Sequence, residues 1–399
     1  MKRIFLFGTL LFVLLPVFAS AAIVADHTSV NQFDNIPQAW INLAKSNLHI
    51  AYGHTSHGSQ LITGMDMLRT EKGSLYSWNN GGTSGALDIK DFYGNFGGLG
   101  VADDLGSPNY NAWATATRTY LNQHPEINVI IWSWCGQMTT DATNINTYLT
   151  LMHQLEADFP KVKFVYMTGH LDGGKLCTTS NDWNCYHNLR ATQIRNFVNA
   201  NNGILYDFAD IESYDPSGNY FGDKLATDAC TYDSNGYGAV DSNWATQWCN
   251  THSCLSCSGS CAHSECLNCY QKGKAAWYLW ARLAGWDGGT GTPTACIAAD
   301  WSYADGSCRA NNTLIRTWTK INANCQGGVS HPATETVACT YTPPTISGDL
   351  NGDGKVDISD LVFVATNFGK INFDSRADVN NDNVTDITDL VFIARRYTG

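Results

Sequence analysis

The chain has few basic residues. Its 24 Lys and Arg stand against 36 Asp and Glu in 399 residues, so the formal net charge is −12 at pH 7. Because proteins that bind nucleic acid neutralise phosphates with Lys and Arg, this balance argues against a nucleic-acid partner. Long apolar runs are also rare. Only residues 4–18 form one, and they are too few to span a bilayer comfortably, so we expect no transmembrane segment.

That N-terminal run has the features of an export signal. Lys2 and Arg3 precede it and Ala19-Ser20-Ala21 follows it, which is the order of charged, apolar and small residues in a secretory signal peptide. We predict that residues 1–21 are this signal and that the protein is secreted, either extracellular or attached to a cell surface. A secreted protein is exposed to an oxidising environment, and the chain has an even number of cysteines, 14. Disulfides are therefore the first interpretation of these cysteines, ahead of metal sites.

Residues 22–288 alternate between short apolar segments and amphipathic ones. We predict strands and helices in turn at 47–53, 61–69, 128–134, 144–159, 163–169, 188–201, 204–208 and 272–284. This alternation predicts an α/β fold, a doubly wound parallel sheet in which ligands bind at the carboxyl ends of the strands. Linkers at 289–295 and 342–347 then separate this domain from a Cys-stapled module, 296–341, and a tail, 348–399.

The tail contains two copies of a twelve-residue loop rich in oxygen-bearing side chains. Calcium needs six or more oxygens on a sharply curved loop, and positions 1, 3, 5, 7, 9 and 12 of such a loop supply them. In the first loop these positions hold Asp349, Asn351, Asp353, Lys355, Asp357 and Asp360. In the second loop they hold Asp378, Asn380, Asp382, Val384, Asp386 and Asp389. We predict two calcium ions, with Lys355 and Val384 binding through their backbone carbonyls, and an all-α module of duplicated EF-hand-like units.

Each loop runs into a matching helical phrase, Asp-Leu-Val-Phe-Val-Ala at 360–365 and Asp-Leu-Val-Phe-Ile-Ala at 389–394. With these helices, the tail resembles the dockerin family, type I. The resemblance implies that the tail docks the protein onto a cohesin-like module of a scaffold or surface. Ile358-Ser359 and Ile387-Thr388 occupy the positions where family members choose partners, and Ile is atypical there. The alternative is a calcium-stabilised spacer without a partner.

The Cys-stapled module interleaves its four cysteines with Trp301, Arg316 and Trp318. This pattern is similar to thrombospondin type 1 repeats, and the similarity implies a small disulfide-rich β module with layered Arg and Trp side chains. Four cysteines allow three connectivities, and the sequence does not choose among them. Either contact with glycans or a role as a spacer fits this module.

The richest stretch in the large domain is residues 53–60, Gly-His-Thr-Ser-His-Gly-Ser-Gln, between a predicted strand and a helix. A Ser in this turn presents its hydroxyl at the carboxyl edge of the sheet, and helical N–H groups there can stabilise an oxyanion. We predict Ser56 as a nucleophile and His263, just before the last helix of the domain, as its base. Ser59 and His252 are competing candidates. The non-catalytic interpretation is a polar turn in which Ser caps the helix.

This arrangement resembles the SGNH/GDSL hydrolase superfamily over about residues 47–287. Ser56 matches the nucleophile of the first block and His263 matches the His of the last block. The resemblance implies that the N–H groups near Ser56 and Gly58, together with Gly136 and Gln137, stabilise the oxyanion. It implies a secreted serine esterase that removes an ester group from carbohydrate.

One part of the superfamily pattern is missing, because Ser260 stands where the orienting Asp is expected. The acid is then Asp210, Asp215 or Asp241, or a Ser–His dyad operates without one. Four further residues are expected to contact the substrate, with Trp134 as a sugar-stacking surface. These are His54, His57, His170 and Trp134.

Two other functions fit the same residues. A degenerate hydrolase fold could serve as a non-catalytic, secreted glycan-binding or surface protein. Alternatively, the protein could be a metal-dependent hydrolase in which side chains converge on an ion that activates water. The ligands would then be His54, His57, His170 and Asp172.

Six cysteines between Cys249 and Cys269 include two Cys-x-x-Cys pairs, which is metal-ligand spacing. Disulfides are the first interpretation in a secreted protein, and zinc is the second. We predict a further disulfide between Cys177 and Cys185. Cys135 stands apart from the others and either pairs with a distant cysteine or is free.

Overall fold

The computed structural model describes residues 22–174, 186–309, 311–322, 325, 328–340, 346–371 and 373–398. The predicted signal peptide and the predicted Cys177–Cys185 disulfide lie outside these residues. The chain divides into two compact units, one formed mainly by residues before 296 and the other mainly by residues after it. The domain boundaries set from the sequence stay predictions.

The first unit is built on a seven-stranded sheet in the order β1-β7-β6-β5-β2-β4-β3. Every pair of neighbouring strands in it is parallel. The strands are β1 (Ile23–Ala25), β2 (His49–His54), β3 (Trp78–Asn79), β4 (Leu87–Tyr93), β5 (Val129–Trp132), β6 (Lys163–Met167) and β7 (Ile204–Tyr206). Strands β8 (Thr231–Tyr232) and β9 (Ser242–Asn243) form a separate antiparallel pair. The predicted α/β class and parallel sheet are confirmed.

Helices cover both faces of the sheet. They are α1 (His27–Gln32), α2 (Gln38–Asn47), α3 (Ser59–Lys72), α4 (Ala112–Gln123), α5 (Ala142–Asp158), α6 (Tyr186–Ala200), α7 (Phe208–Ile211), α8 (Trp244–Cys249) and α9 (Cys266–Leu283). Helices α2, α3 and α9 pack in one buried apolar cluster, and α4, α5 and α6 pack in another. Successive residues of a strand contribute side chains to the two clusters alternately. In β5, Val129 and Ile131 belong to the first cluster, while Ile130 and Trp132 belong to the second. This period of two follows from the pleat of a strand.

Helices α3 and α9 approach closely at two glycines. A Cβ atom on Gly64 would lie 1.8 Å from the carbonyl oxygen of Cys269, and one on Gly273 would lie 2.3 Å from the carbonyl carbon of Gly64. Only glycine permits backbones to pack at this separation. The close contact fixes α3, which begins directly after the His-rich turn, against the last helix of the unit.

In the second unit, β10 (Trp301–Asp305), β11 (Thr313–Lys320) and β12 (Thr334–Ala338) form an antiparallel sheet. A disulfide joins Cys308 to Cys339, and the other two cysteines of this module are also disulfide-bonded. The Arg316 guanidinium lies 3.8 Å from the centre of the Tyr303 ring, and the Trp318 ring stacks on His331 at 3.6 Å. A small disulfide-bonded β module is confirmed, while its relation to thrombospondin repeats stays a prediction.

The tail folds as two helices, α10 (Ile358–Asn367) and α11 (Ile387–Ala394), each preceded by one of the predicted loops. Val356, Val364 and Ile393 form their shared buried core. The predicted all-α tail is confirmed.

Candidate functional site

The candidate site lies at the carboxyl ends of β2 and β5, which are neighbours in the middle of the sheet. From β2 the chain continues to β4 on one side, whereas β5 and the later strands β6 and β7 lie on the other side. Such a reversal of strand order leaves a crevice in which open α/β sheets bind ligands. Residues 55–58 follow β2 at this edge and residues 133–138 follow β5.

Three side chains from three segments form a continuous hydrogen-bonded row in this crevice. The Cys135 sulfur lies 3.2 Å from His57 Nδ1, and His57 Nε2 lies 3.0 Å from an Asp228 carboxylate oxygen. Because a carboxylate only accepts, Nε2–H donates to Asp228 and Nδ1 faces the sulfur. A thiol, an imidazole and a carboxylate in this order can act as a nucleophile, its base and the group that orients the base.

The electrostatics of this row favour the ionised pair. The hydrogen bond with His57 lowers the pKa of the Cys135 thiol to about 6, against burial and with help from Ser56. Burial opposes the charge on His57, but its hydrogen bonds to Asp228 and Cys135 outweigh burial and raise the pKa of His57 to about 9. Burial likewise opposes ionisation of Asp228, and the hydrogen bond from His57 prevails and lowers its pKa. Near neutral pH the row therefore holds a thiolate and an imidazolium.

Asp228 comes from an irregular segment that the main chain fixes against the end of β6. Its own N–H donates to the Leu171 carbonyl at 2.9 Å, and the neighbouring residues Asp172 and Thr227 form an isolated β-bridge. The carboxylate is thus attached to the sheet although it belongs to no strand of the sheet.

Two further imidazoles stack against the ring of His57. The His170 ring lies 3.8 Å away with planes 5° apart, and the His263 ring lies 4.3 Å away with planes 16° apart. His170 is buried and pairs with Asp172 at 3.0 Å, whereas His263 is exposed. His263 also has a φ of 60°, in the left-handed region, which residues other than Gly adopt uncommonly. The structure thus brings His263 and His170 to the site, beside His57.

The predicted nucleophile, Ser56, lies in the same crevice. Its hydroxyl oxygen is 3.5 Å from the Cys135 sulfur and, in the described part of the chain, forms no hydrogen bond with a histidine. The Ser59 hydroxyl donates to the Ser56 carbonyl at 2.5 Å, so it stabilises the turn. Gly58 is the residue before α3, and a Cβ there would lie 2.3 Å from that of His54, so the turn requires glycine.

The two predicted oxyanion residues after β5 differ in what they contact. Gln137 accepts the N–H of Cys135 at 3.0 Å through its side-chain oxygen, so this side chain supports the backbone at the thiol. Gly136 begins a short 3₁₀ turn and has open space beside its Cα. Within the described residues, the N–H groups of Ser56, His57 and Gly136 have no hydrogen-bond acceptor.

Two residues predicted to face substrate are buried. His54 is 1% exposed and its Nε2 lies 2.6 Å from an Asp91 oxygen. Trp134 is 2% exposed and its indole N–H donates to the Met167 carbonyl. The prediction of a sugar-stacking surface at Trp134 does not fit this burial, because both sides of the ring are packed in the core.

The three carboxylates considered as the orienting acid are engaged elsewhere. Asp210 lies 2.5 Å from the His27 ring nitrogen, Asp215 accepts N–H groups of its own loop, and Asp241 accepts the Ser234 N–H. The competing base, His252, stacks on Trp248 at 4.1 Å. None of them takes the place that Asp228 occupies beside His57.

Metal ligation was the other chemistry predicted for these histidines. Ligand atoms of His57, Asp228 and His263 all lie within 4.8 Å of one another. The His57 and His263 rings are stacked nearly parallel, however, and lone pairs of imidazole nitrogens lie in the ring plane, so they do not converge on one ion. Nor do the four ligands predicted from the sequence form a common cluster among the described residues, since His54 pairs with Asp91.

The six clustered cysteines form three disulfides, Cys249–Cys254, Cys257–Cys266 and Cys261–Cys269. The disulfide interpretation is thereby confirmed over zinc, because these sulfurs are bonded to one another. The last two bridges flank His263 on both sides. They hold the loop that carries His263 against α9.

A fully buried ion pair lies under the site. The Lys272 ammonium donates to a Glu212 oxygen at 2.6 Å and to the Gln60 side-chain oxygen, and both charged side chains have no solvent exposure. Glu212 also accepts the N–H of Leu171, and Gln60 donates to the Ala262 carbonyl. This network joins α3, α9 and the segments that carry His170 and His263.

Sequence reasoning missed Cys135 and Asp228 as functional residues. One signal was available for Cys135, since it directly follows a buried strand and stands apart from the clustered cysteines. The structure confirms that it is free; the other free cysteine in the described residues is Cys230. No local motif marks Asp228, because its placement depends on a long-range bridge to the end of β6.

The two loops of the tail are shaped for a cation that prefers oxygen ligands. The Asp349 carboxylate accepts N–H groups of Gly352 and Gly354, and Asp378 accepts those of Asp382 and Asn383. At position 6, Gly354 has a φ of 88° and Asn383 a φ of 70°. Asn therefore adopts the left-handed conformation that Gly provides in the first loop. Both loops turn sharply enough to gather their oxygens.

The last loop positions, Asp360 and Asp389, are fully buried at the starts of α10 and α11. Ile358 and Ile387, one residue after position 9 of each loop, are 61% and 60% exposed. Residues 347–397 match the dockerin type I domain. Dockerin type I domains bind calcium and bind cohesin, so the tail is a calcium-binding module whose partner is a cohesin. With its disulfides, the dockerin makes this protein an extracellular component of a cellulosome.

No curated protein and no solved structure matches the chain. In the part that the structure describes, no helix combines the length and the apolar character needed to cross a membrane.

Proposed function

We propose that the first unit is an acyl hydrolase that uses Cys135 as its nucleophile, and that its substrate is an ester on a carbohydrate. The row Cys135–His57–Asp228 carries the proposal, because it places a thiol, a base and an orienting carboxylate at hydrogen-bonding distances in the crevice at the strand reversal. The strand order β4-β2-β5-β6-β7 supports a relation to SGNH hydrolases at the level of architecture.

The reaction would proceed through a thioester. The Cys135 thiolate attacks the acyl carbon, the π bond of the carbonyl group breaks, and the carbonyl oxygen becomes an oxyanion. The Ser56 hydroxyl and the N–H groups of Ser56 and Gly136 are the donors available to it. When the oxyanion collapses to a thioester, the bond from the acyl carbon to the sugar oxygen breaks, and the His57 imidazolium gives its Nδ1 proton to that oxygen, which leaves as a hydroxyl group.

In the second half of the reaction, neutral His57 removes a proton from water. The resulting hydroxide attacks the thioester, the carbon–sulfur bond breaks, and the free acid leaves with the thiolate restored. Asp228 accepts a hydrogen bond from Nε2–H of His57 throughout, so Nδ1 remains directed at the sulfur. His57 thus serves as acid in one step and as base in the other.

A serine mechanism with Ser56 and His263 is the competing assignment within the same reaction class. The position of Ser56 directly after β2 favours it. The two mechanisms differ in which single substitution removes activity, and in which electrophile labels the protein.

The decisive experiment compares Cys135→Ala with Ser56→Ala in the calcium-loaded protein, using hydrolysis of an aryl acetate. We expect Cys135→Ala to lower kcat/KM by at least about 10⁴-fold and Ser56→Ala by about 10²-fold, since a nucleophile contributes more than one oxyanion donor. Iodoacetamide should label Cys135, and a fluorophosphonate should label no serine.

The matched control is Cys230→Ala. Among the described residues, Cys230 is the other free cysteine; it is fully buried, and burial raises the pKa of its thiol to about 12, so its removal should leave turnover and labelling unchanged. Full activity in Cys135→Ala together with an inactive Ser56→Ala would assign the reaction to the serine.

A further inference from the structure

A second buried carboxylic acid lies beside the site. Asp104 is 2% exposed and belongs to the loop between β4 and α4. The next residue, Leu105, donates its N–H to the Ser133 carbonyl at 3.0 Å and forms a parallel bridge with Trp134. The loop is therefore attached to the end of β5, immediately before the thiol.

One oxygen of Asp104 contacts both segments that carry the hydrogen-bonded row. Its Oδ2 accepts the Thr55 hydroxyl at 2.6 Å and the Gln137 side-chain amide at 3.4 Å. Thr55 lies in the turn that carries His57, and Gln137 accepts the N–H of Cys135 at 3.0 Å. A path of hydrogen bonds thus runs from the turn of the base, through Asp104, to the backbone of the nucleophile.

The two carboxylate oxygens of Asp104 differ in their hydrogen bonding. Its Oδ1 is buried without a hydrogen-bond partner among the described residues. Burial raises the pKa of Asp104, although Thr55 and Gln137 oppose the rise. A buried polar atom without a partner destabilises a fold, and native proteins retain such atoms where they serve a function.

We propose that Asp104 is a positioning residue that holds the His57 turn against the Cys135 segment and so sets the sulfur–imidazole hydrogen bond. This role rests on the proposed function of Cys135. Asp104 itself need not touch substrate, because it acts through Thr55 and Gln137. Loss of Asp104 should lengthen the contact between His57 and the sulfur, and the thiolate should then form only at higher pH.

The test uses the calcium-loaded full chain with Asp104→Leu, Asp104→Asn and the control Asp103→Asn. Asp103 is the exposed neighbour, and its carboxylate accepts the Ser107 hydroxyl at 3.0 Å. The first readout is the rate of Cys135 alkylation by iodoacetamide across pH, which reports the thiol pKa without any substrate. The second readout is kcat and KM for an aryl acetate.

For Asp104→Leu we expect kcat to fall by about 10–100-fold with KM within about twofold, and the alkylation pKa to rise toward about 8.5, the value of a free Cys. Asp104→Asn retains an acceptor for the Thr55 hydroxyl, so its kcat and its alkylation pKa should lie between those of Asp104→Leu and wild type. Asp103→Asn should match wild type. A folded Asp104→Leu protein with an unchanged alkylation profile and unchanged kcat would overturn the proposal.

If Asp104→Leu does not fold, Thr55→Val and Gln137→Leu remove the two hydrogen bonds to Asp104 one at a time. Each should raise the alkylation pKa, and unchanged profiles in both would overturn the positioning role. The outcome also separates this role from the proposed function. A changed alkylation profile in Asp104→Leu, combined with full turnover by Cys135→Ala, would support the positioning role and refute the thiol mechanism.

Discussion

At the scale of single residues, the central feature is an imidazole that has a different partner on each nitrogen. His57 faces a thiol through Nδ1 and a carboxylate through Nε2. The first contact lowers the pKa of Cys135 and both contacts raise the pKa of His57. Both groups are therefore charged together between pH values of about 6 and 9.

This window predicts a bell-shaped pH dependence of kcat/KM. As pH falls through about 6, the thiolate is protonated and the nucleophile is lost. As pH rises through about 9, the imidazolium loses the proton that the leaving group needs. Activity should be highest between these values, and it should be measured with a substrate that does not itself ionise there.

Asp228→Asn should shift one limb of this profile. Without the carboxylate, the imidazolium loses a stabilising partner, so the alkaline limb should move to lower pH. Asp241→Asn removes an exposed carboxylate that accepts hydrogen bonds from Ser234 and Asn235 of its own loop, and it should leave both limbs in place. An alkaline limb that stays unchanged in Asp228→Asn would show that Asp228 does not act on His57.

The sequence predicted the location of the site better than its chemistry. The sequence predicts a dense group of reactive side chains at 53–60, and the structure shows that residues 55–58 link β2 to α3. Which of them reacts depends on what the neighbouring strand brings beside it, and β5 brings Cys135. Sequence spacing cannot show that contact, because β2 and β5 are distant in the chain.

At the scale of secondary-structure elements, the strands found by their apolar runs were β2, β5, β6 and β7. Strand β4 was missed because only its first three residues are buried, and its sequence, Leu-Asp-Ile-Lys-Asp-Phe-Tyr, includes three charges. Strands β1 and β3 have three and two residues, too few for a pattern. These strands lie toward the two edges of the sheet, where burial is less complete.

Helix α9 is attached to the rest of the unit by Lys272, and this contact predicts a stability effect. Lys272→Met would leave Glu212 buried without its cation, which costs about 3–5 kcal/mol of the free energy of unfolding. Thermal or chemical unfolding of the calcium-loaded protein, followed by tryptophan fluorescence, would measure this loss.

The same helix offers a matched control. Lys274 is partly exposed and lies 3.6 Å from Asp34, so Lys274→Met should change the free energy of unfolding by less than about 1 kcal/mol. Adding Glu212→Gln to Lys272→Met should recover part of the stability, because no buried charge then remains. Equal unfolding midpoints for Lys272→Met and Lys274→Met would contradict the importance of the buried pair.

At the scale of the whole molecule, the two units depend on different stabilising agents. The first unit has two large apolar clusters and the disulfides described above between Cys249 and Cys269, whereas the tail has a small core and two loops crowded with carboxylates. Its fold was predictable in detail, because the ligand positions and turn residues of each loop are consecutive in sequence.

Removal of calcium should therefore act on the tail alone. With a chelator we expect loss of cohesin binding and of the helical signal of α10 and α11, because the uncompensated carboxylates repel one another. Aryl acetate hydrolysis should stay within about twofold. At a calcium concentration about 1,000 times its Kd, bound calcium contributes about 4 kcal/mol per site to the tail.

Variants at the last loop positions sharpen this test. Asp360→Ala and Asp389→Ala each remove a buried carboxylate from one loop, and each should weaken calcium and cohesin binding without a chelator. Lys355→Ala keeps its backbone carbonyl and should bind calcium normally. Cohesin binding that survives chelation would show that the tail folds without the ion.

The free thiol of Cys135 has a practical consequence when it is considered together with the bridges that flank His263. Purification without a reductant would expose a reactive thiolate to air. Protein whose Cys135 had been oxidised in this way would be inactive and would look like a protein with no catalytic activity. A strong reductant would protect the thiolate while opening Cys257–Cys266 and Cys261–Cys269, releasing the histidine loop. Protein prepared without a reductant and protein prepared with a strong one would therefore both lose activity, for opposite reasons. The oxidation state of each cysteine should be determined before an inactive sample is taken as evidence against the proposed activity.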